Sequence, residues 1–181
     1  MQLQLLQETD YLSIFYDSTN DWLFIDWRGN LTLPIVQASC LVIAQCFLER
    51  PYPRILNSNS QVTGMSADVP MWLAHDYLPH LSLAGVEYLA WVQAPALLLQ
   101  HLTNEAVRQL TEPVVTLFTD LDLAFSWLQH TRFHHLDTAP AQDSDARQAE
   151  LSNRVEQLAT YYQRIMRCIT TQQENLPQQT D

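Results

Sequence analysis

Residues 86–92, VEYLAWV, form an apolar run in which only Glu87 is polar. The run is too short for a typical helix and rich in aromatic and β-branched side chains, so it reads as a strand. It lacks the alternation of a half-solvated strand, so both of its faces should be buried, as in a parallel sheet covered by helices. Val114-Val115-Thr116-Leu117-Phe118, just after Pro113, repeats the pattern. Helical spacing fills the interval from Pro95 to about Leu110. A strand–helix–strand order of this kind implies parallel strands joined by right-handed crossovers.

The preceding chain extends the pattern. Residues 11–17, YLSIFYD, place Leu12, Ile14 and Tyr16 on one side and Tyr11, Ser13 and Phe15 on the other. Residues 22–28, WLFIDWR, follow after the turn-forming Asp17-Ser18-Thr19-Asn20-Asp21, which predicts a β-hairpin. Trp22 and Trp27 are an odd number of residues apart and should face opposite sides of their strand; a sheet covered on one face only would leave one of them exposed. Thr32 is a candidate N-cap, and Pro34 fits the first turn of a helix that ends at Arg50-Pro51. A short strand, Arg54–Asn57, leads to a polar loop from Ser58 to Gly64. A second helix is expected from about Ala67 to Leu83, kinked or shortened at Pro79 and stopped at Gly85. Asp120 should cap a fourth, Leu121 to His130, that buries Leu123, Ala124, Trp127 and Leu128. The expected order is β-β-α-β-α-β-α-β-α: an α/β fold with a mixed five-stranded sheet, an N-terminal hairpin and four helices.

Residues 137–146, DTAPAQDSDA, have no apolar period and read as a linker after a domain spanning 1–136. Beyond them Leu151, Val155, Leu158, Tyr162, Ile165 and Ile169 are spaced 4, 3, 4, 3, 4, a heptad seam. The expectation is an amphipathic coiled-coil helix over 147–171, followed by a disordered tail over 172–181. Six seam residues contributing ~1.5–3 kcal/mol each when buried would not stay in water. The helix should pair with a second copy, dock on its own domain, or meet another protein.

Composition narrows the chemistry. Apolar residues make up 47% of the 181-residue chain, enough for a packed core, and the net charge is −11. All nine bases are arginine, so lysine Schiff-base and P-loop chemistry are absent. The negative surface disfavours nucleic acid and anionic membranes, and no apolar run is long enough to span a bilayer. Cys40, Cys46 and Cys168 are sparse, odd in number and without a CxxC, which fits reduced thiols and a cytoplasmic location. The N-terminus MQLQLLQETD carries no secretion signal.

Several segments in register resemble a known group. They are Trp22-Leu23-Phe24-Ile25-Asp26-Trp27-Arg28-Gly29, Ile55-Leu56-Asn57-Ser58-Asn59 with Val62-Thr63-Gly64, and Trp72 with Asp76-Tyr77-Leu78-Pro79. Ala84-Gly85, Tyr88-Leu89-Ala90-Trp91-Val92, and Phe118-Thr119-Asp120 with Ala124 and Trp127-Leu128 complete the set. Over about residues 10 to 130 the chain resembles small bacterial STAS-like proteins with a SpoIIAA-like fold, shared with CRAL-TRIO domains. The resemblance implies a binding or regulatory module. In STAS regulators a serine just after the matching strand is phosphorylated by a partner kinase; the corresponding zone here is Ser58 to Ser66.

Candidate chemistry is sparse. Asp76 and His80 stand four apart, near Trp72 and His75, but two metal ligands need a third and no HExxH is present. The simpler reading is a solvated helix face. His130, His134 and His135 cluster in HTRFHH, which suits either a metal-binding tract or the polar exit of a helix. No GxSxG, nucleophile with a readable base, or glycine-rich phosphate loop is present, so no catalytic residue, cofactor or metal site is assigned. The candidate partner, ligand or regulatory loop comprises Asn57, Ser58, Asn59, Ser60, Thr63, Ser66 and Asp76, placed where open α/β folds bind ligands. The reading that follows is a non-enzymatic STAS-like regulatory or protein-interaction module that assembles through its C-terminal helix, as a dimer or with an unknown protein. Two alternatives stay open: a carrier of lipid or a small apolar ligand, and an unrecognised enzyme.

Overall fold

The structure, a computed structural model, describes residues 2–108 and 110–131, and farther on the helical positions Asn153, Glu156, Gln157, Thr160, Gln163, Arg164 and Arg167. The sheet has six strands, not five: β1 (Leu3–Glu8), β2 (Leu12–Asp17), β3 (Trp22–Leu31), β4 (Arg54–Met65), β5 (Tyr88–Val92) and β6 (Val114–Phe118). They lie side by side in chain order. β1, β2 and β3 pair antiparallel, and β3 through β6 pair parallel. The added strand, LQLLQE, pairs as an edge and is mostly exposed. Cross-strand bonds to β2 form it where its own residues give no clear alternation.

The helices are α1 (Leu33–Glu49), α2 (Asp68–Trp72), α3 (Leu78–Leu81), α4 (Leu97–Val107) and α5 (Leu121–Gln129). Parallel strands added one after another in a single direction, each by a right-handed crossover, bring every crossover helix to the same face. The main core therefore lies between that inner face and α1, α2–α3 and α4. It contains Ile14, Trp27, Phe47, Ile55, Leu81, Leu89 and Leu99. α5, after the last strand, returns over the outer face of β4–β6, where Ala124 and Leu128 bury Trp22, Leu56, Tyr88 and Ala90. Asp120 caps it as expected: its Oδ1 accepts the Leu123 N–H at 3.0 Å.

Trp22 and Trp27 face opposite sides, and both are buried, at 0% and 6% exposure. Helices on the two faces cover one each.

Two expectations for the middle of the chain are corrected. The segment Ser58 to Gly64 is not a loop: β4 continues to Met65, held by β3 beyond the point where β5 ends. Asn, Ser and Gly favour turns through local bonds, but pairing with β3 supplies the backbone partners instead. The expected second helix is not continuous. A π turn over Leu73–Tyr77 separates α2 from α3, with the Leu78 N–H reaching back five residues to the Leu73 carbonyl. Pro79 has no N–H and its ring crowds the carbonyl four residues earlier, and the widened turn accommodates both. Gly85 ends the segment at φ +86°, a left-handed conformation that suits glycine.

The linker over 137–146, the seam residues Leu151, Val155, Leu158, Tyr162, Ile165 and Ile169, the tail over 172–181, and His134, His135 and Cys168 lie outside the described residues. The helical positions that are described there are exposed. Gln157, Thr160 and Arg164 line a shallow cleft with His80 and Leu83.

Candidate functional site

Strand alternation sorts the candidate residues of β4 onto two faces. Asn57 and Asn59 point inward and are buried, at 8% and 3% exposure. Ser58 is buried and within hydrogen-bond distance of exposed Ser60, Oγ to Oγ 2.9 Å. The β3–β4 register shifts between Asp26 and Arg28, which pair with Ser58 and Gln61, so Asn59 and Ser60 form a bulge opposite Trp27. The extra residue lets the even-numbered Val62 turn inward after odd-numbered Asn57 and Asn59, as bulges re-aim side chains.

The inward amides lie between two indoles. Trp27 Nε1 donates to Asn57 Oδ1 at 2.9 Å. Asn57 Nδ2 donates to Asn59 Oδ1 at 3.2 Å. With the Asn59 amide turned by 180°, its oxygen instead accepts from Trp91 Nε1 at 3.1 Å and its nitrogen donates to the Ser58 carbonyl at 3.3 Å. The four side chains border a cavity of about 30 Å³, otherwise walled by apolar residues such as Ile25, Leu31, Ile43 and Leu73, and by Tyr77. None of its lining residues is basic or acidic.

Burial pushes the Cys40 thiol well above its ordinary range, against a hydrogen bond to Tyr77 that acts to lower it. Burial, reinforced by Glu49, pushes Cys46 up to about 11. Both are free thiols held in their neutral form.

The other candidates do not join this cluster. Thr63 is exposed, and Asp76 and His75 lie on the solvent side of the π turn, while Leu73 and Tyr77 face the cavity. Ser66 is half-buried before α2, and its hydroxyl has no partner among the described residues. Among those residues no three His, Cys, Asp or Glu side chains come together. His130 sits at the end of α5 with Nδ1 2.6 Å from the Ser126 carbonyl, as a polar helix exit would place it.

The outer face carries a second feature. Leu5 pairs with Phe15, Phe15 with Phe24, and Phe24 with Leu56, one apolar row across four strands. The Phe15 and Phe24 rings stack with centroids 5.9 Å apart. α5 covers the Leu56 end; among the described residues no helix covers Phe15 or Leu5, and Leu5 is 50% exposed. Composition could not reveal this row, because it depends on which residues the register sets opposite one another.

No family model matches the sequence, and no curated protein does. A solved structure that it is similar to is an uncharacterized protein from the DUF3478 family, with a SpoIIAA-like fold, from Shewanella loihica PV-4. The two share 18% identity over 70% of this chain and 92% of that chain, with a TM-score of 0.41. Among the described residues no helix is long and apolar enough to cross a membrane.

Proposed function

We propose that this chain is a non-enzymatic, STAS-like regulatory module that acts by protein contact and assembles as a homodimer. The carrying observation is the β1–β2 end of the outer row, where Leu5 is 50% exposed and Phe15 half-buried, beyond Phe24, which packs at the edge of the cluster under α5. The heptad seam from Leu151 to Ile169 has the apolar face to cover such a strip or to pair with its twin. Leu5 and Phe15 are already at least half covered, so burying the rest contributes at most roughly half of the ~1.5–3 kcal/mol of a fully exposed side chain, and the apolar seam has to supply the remainder. The two buried free thiols fit a reducing, cytoplasmic setting.

The cavity weighs against the carrier alternative: its volume of about 30 Å³ is far from the roughly 300 Å³ that encloses a drug-sized or larger ligand.

Light scattering of the full chain on a sizing column tests the proposal. Wild type should run as a dimer, and Leu5→Ser/Phe15→Ser as a folded monomer whose melting transition is cooperative but lower, since it loses both the partner and the Phe15–Phe24 stack. A wild-type monomer at all concentrations, or a dimer that ignores both substitutions, would overturn it.

A further inference from the structure

The row Trp27–Asn57–Asn59–Trp91 cannot satisfy itself. Each indole offers only an N–H, and each amide presents an oxygen on one side and an NH₂ on the other. Three contacts join the four groups, and both ends of the row are donors. With Asn59 in one orientation the Asn57 contact is good and two donors meet at Trp91. With it turned, the Trp91 contact is good at 3.1 Å, and the two amide nitrogens face each other at 3.2 Å. Every arrangement leaves at least one donor–donor contact, so the row is one acceptor short. Both amides are more than nine-tenths buried, where an unsatisfied donor is costly.

The turned arrangement satisfies both indoles and adds a bond to the Ser58 carbonyl. It leaves two NH₂ groups converging beside the cavity. We propose that this is a binding site for a small neutral molecule with one acceptor oxygen, held between Asn57 Nδ2 and Asn59 Nδ2. Its few carbon atoms would face Leu31, Ile43 and Leu73. The cavity holds about two water-sized groups as it stands, so a molecule the size of acetone is its upper limit and enters only if the lining side chains shift. Neutrality follows from the lining: no Arg or His is there to offset the desolvation of a carboxylate. The site does not depend on the outer face, so it stands or falls separately from the dimer.

The test is side-chain amide and indole NMR of the full-length ¹⁵N-labelled chain, titrated with acetone and, separately, with acetate, which has a similar shape and a charge. Acetone should shift the Asn57 and Asn59 side-chain signals saturably, and acetate should not. Removing either terminal donor lets both remaining contacts of the row pair a donor with an acceptor, so the two NH₂ groups no longer converge. Trp91→Phe and Trp27→Phe, at opposite ends of the row, should each weaken acetone about tenfold or more. The second variant keeps the test decisive if the first does not fold. Three outcomes would overturn the proposal: no saturable shift with an ordered water alone contacting both amides, acetate binding as well as acetone, or folded Trp→Phe variants that bind like wild type.

Discussion

Trp27 of β3 donates its indole N–H to Asn57 of β4 across 2.9 Å, a polar bond between neighbouring parallel strands inside the main core. Buried bonds of this kind add little net stability, but breaking one side of the pair is expensive. Asn57→Leu should therefore destabilise by about 1–3 kcal/mol in urea unfolding. Trp27→Phe/Asn57→Leu should be less destabilised than the sum of its single variants, by roughly 0.5–3 kcal/mol.

Ser58 and Ser60 share a face but differ in exposure, 1% for Ser58 against an exposed Ser60. A charged group on Ser58 would have to enter the packed sheet, whereas one on Ser60 stays in water. Ser58→Glu should lower stability by several kcal/mol, and Ser60→Glu should fall within about 0.5 kcal/mol of wild type. Thermal melts of the two variants check this. Of these two serines, Ser60 is then the one that a kinase can be expected to modify.

The sequence made much of this architecture legible. The run Val86–Val92 predicts a strand buried on both faces, which holds over Tyr88–Val92, and Asp120 predicts the helix start that its cap makes; Val114–Phe118, expected to be buried likewise, is an edge strand and only half-buried. Leu3–Glu8 escaped because an exposed edge strand has no burial pattern of its own. The polar half of β4 escaped for the opposite reason: Asn57-Ser58-Asn59-Ser60 has turn-forming composition, and only the pairing with β3 makes it a strand. Asn57 and Asn59 were visible as candidates. Their partners Trp27 and Trp91 were not, because strand register and a bulge bring those four together from three strands.

The Asp120 cap gives a local check. Its carboxylate satisfies one of the open N–H groups of α5, the helix that closes the outer core. Asp120→Ala should cost about 1 kcal/mol, measured as a lower urea midpoint with an unchanged slope.

The buried thiols set an alkaline limit. Burial raises Cys46 to about 11 and Cys40 further, so the folded chain keeps protons that the unfolded chain releases near pH 9. Their contribution is fully present below that ordinary value and is lost as pH rises toward the folded values. Unfolding free energy should fall between about pH 9 and 11, and Cys40→Ala/Cys46→Ala should flatten that slope. At pH 8 neither thiol should react with iodoacetamide until the chain is unfolded.

Hydrogen exchange of the full-length chain at low and high protein concentration tests the central claim, action through contact at the outer face, most directly. The account predicts that amides of β1 and β2 and of residues 151–169 slow together as concentration rises, while β5 is unaffected. Exchange that is identical at both concentrations, or slowing confined to other elements, would contradict it.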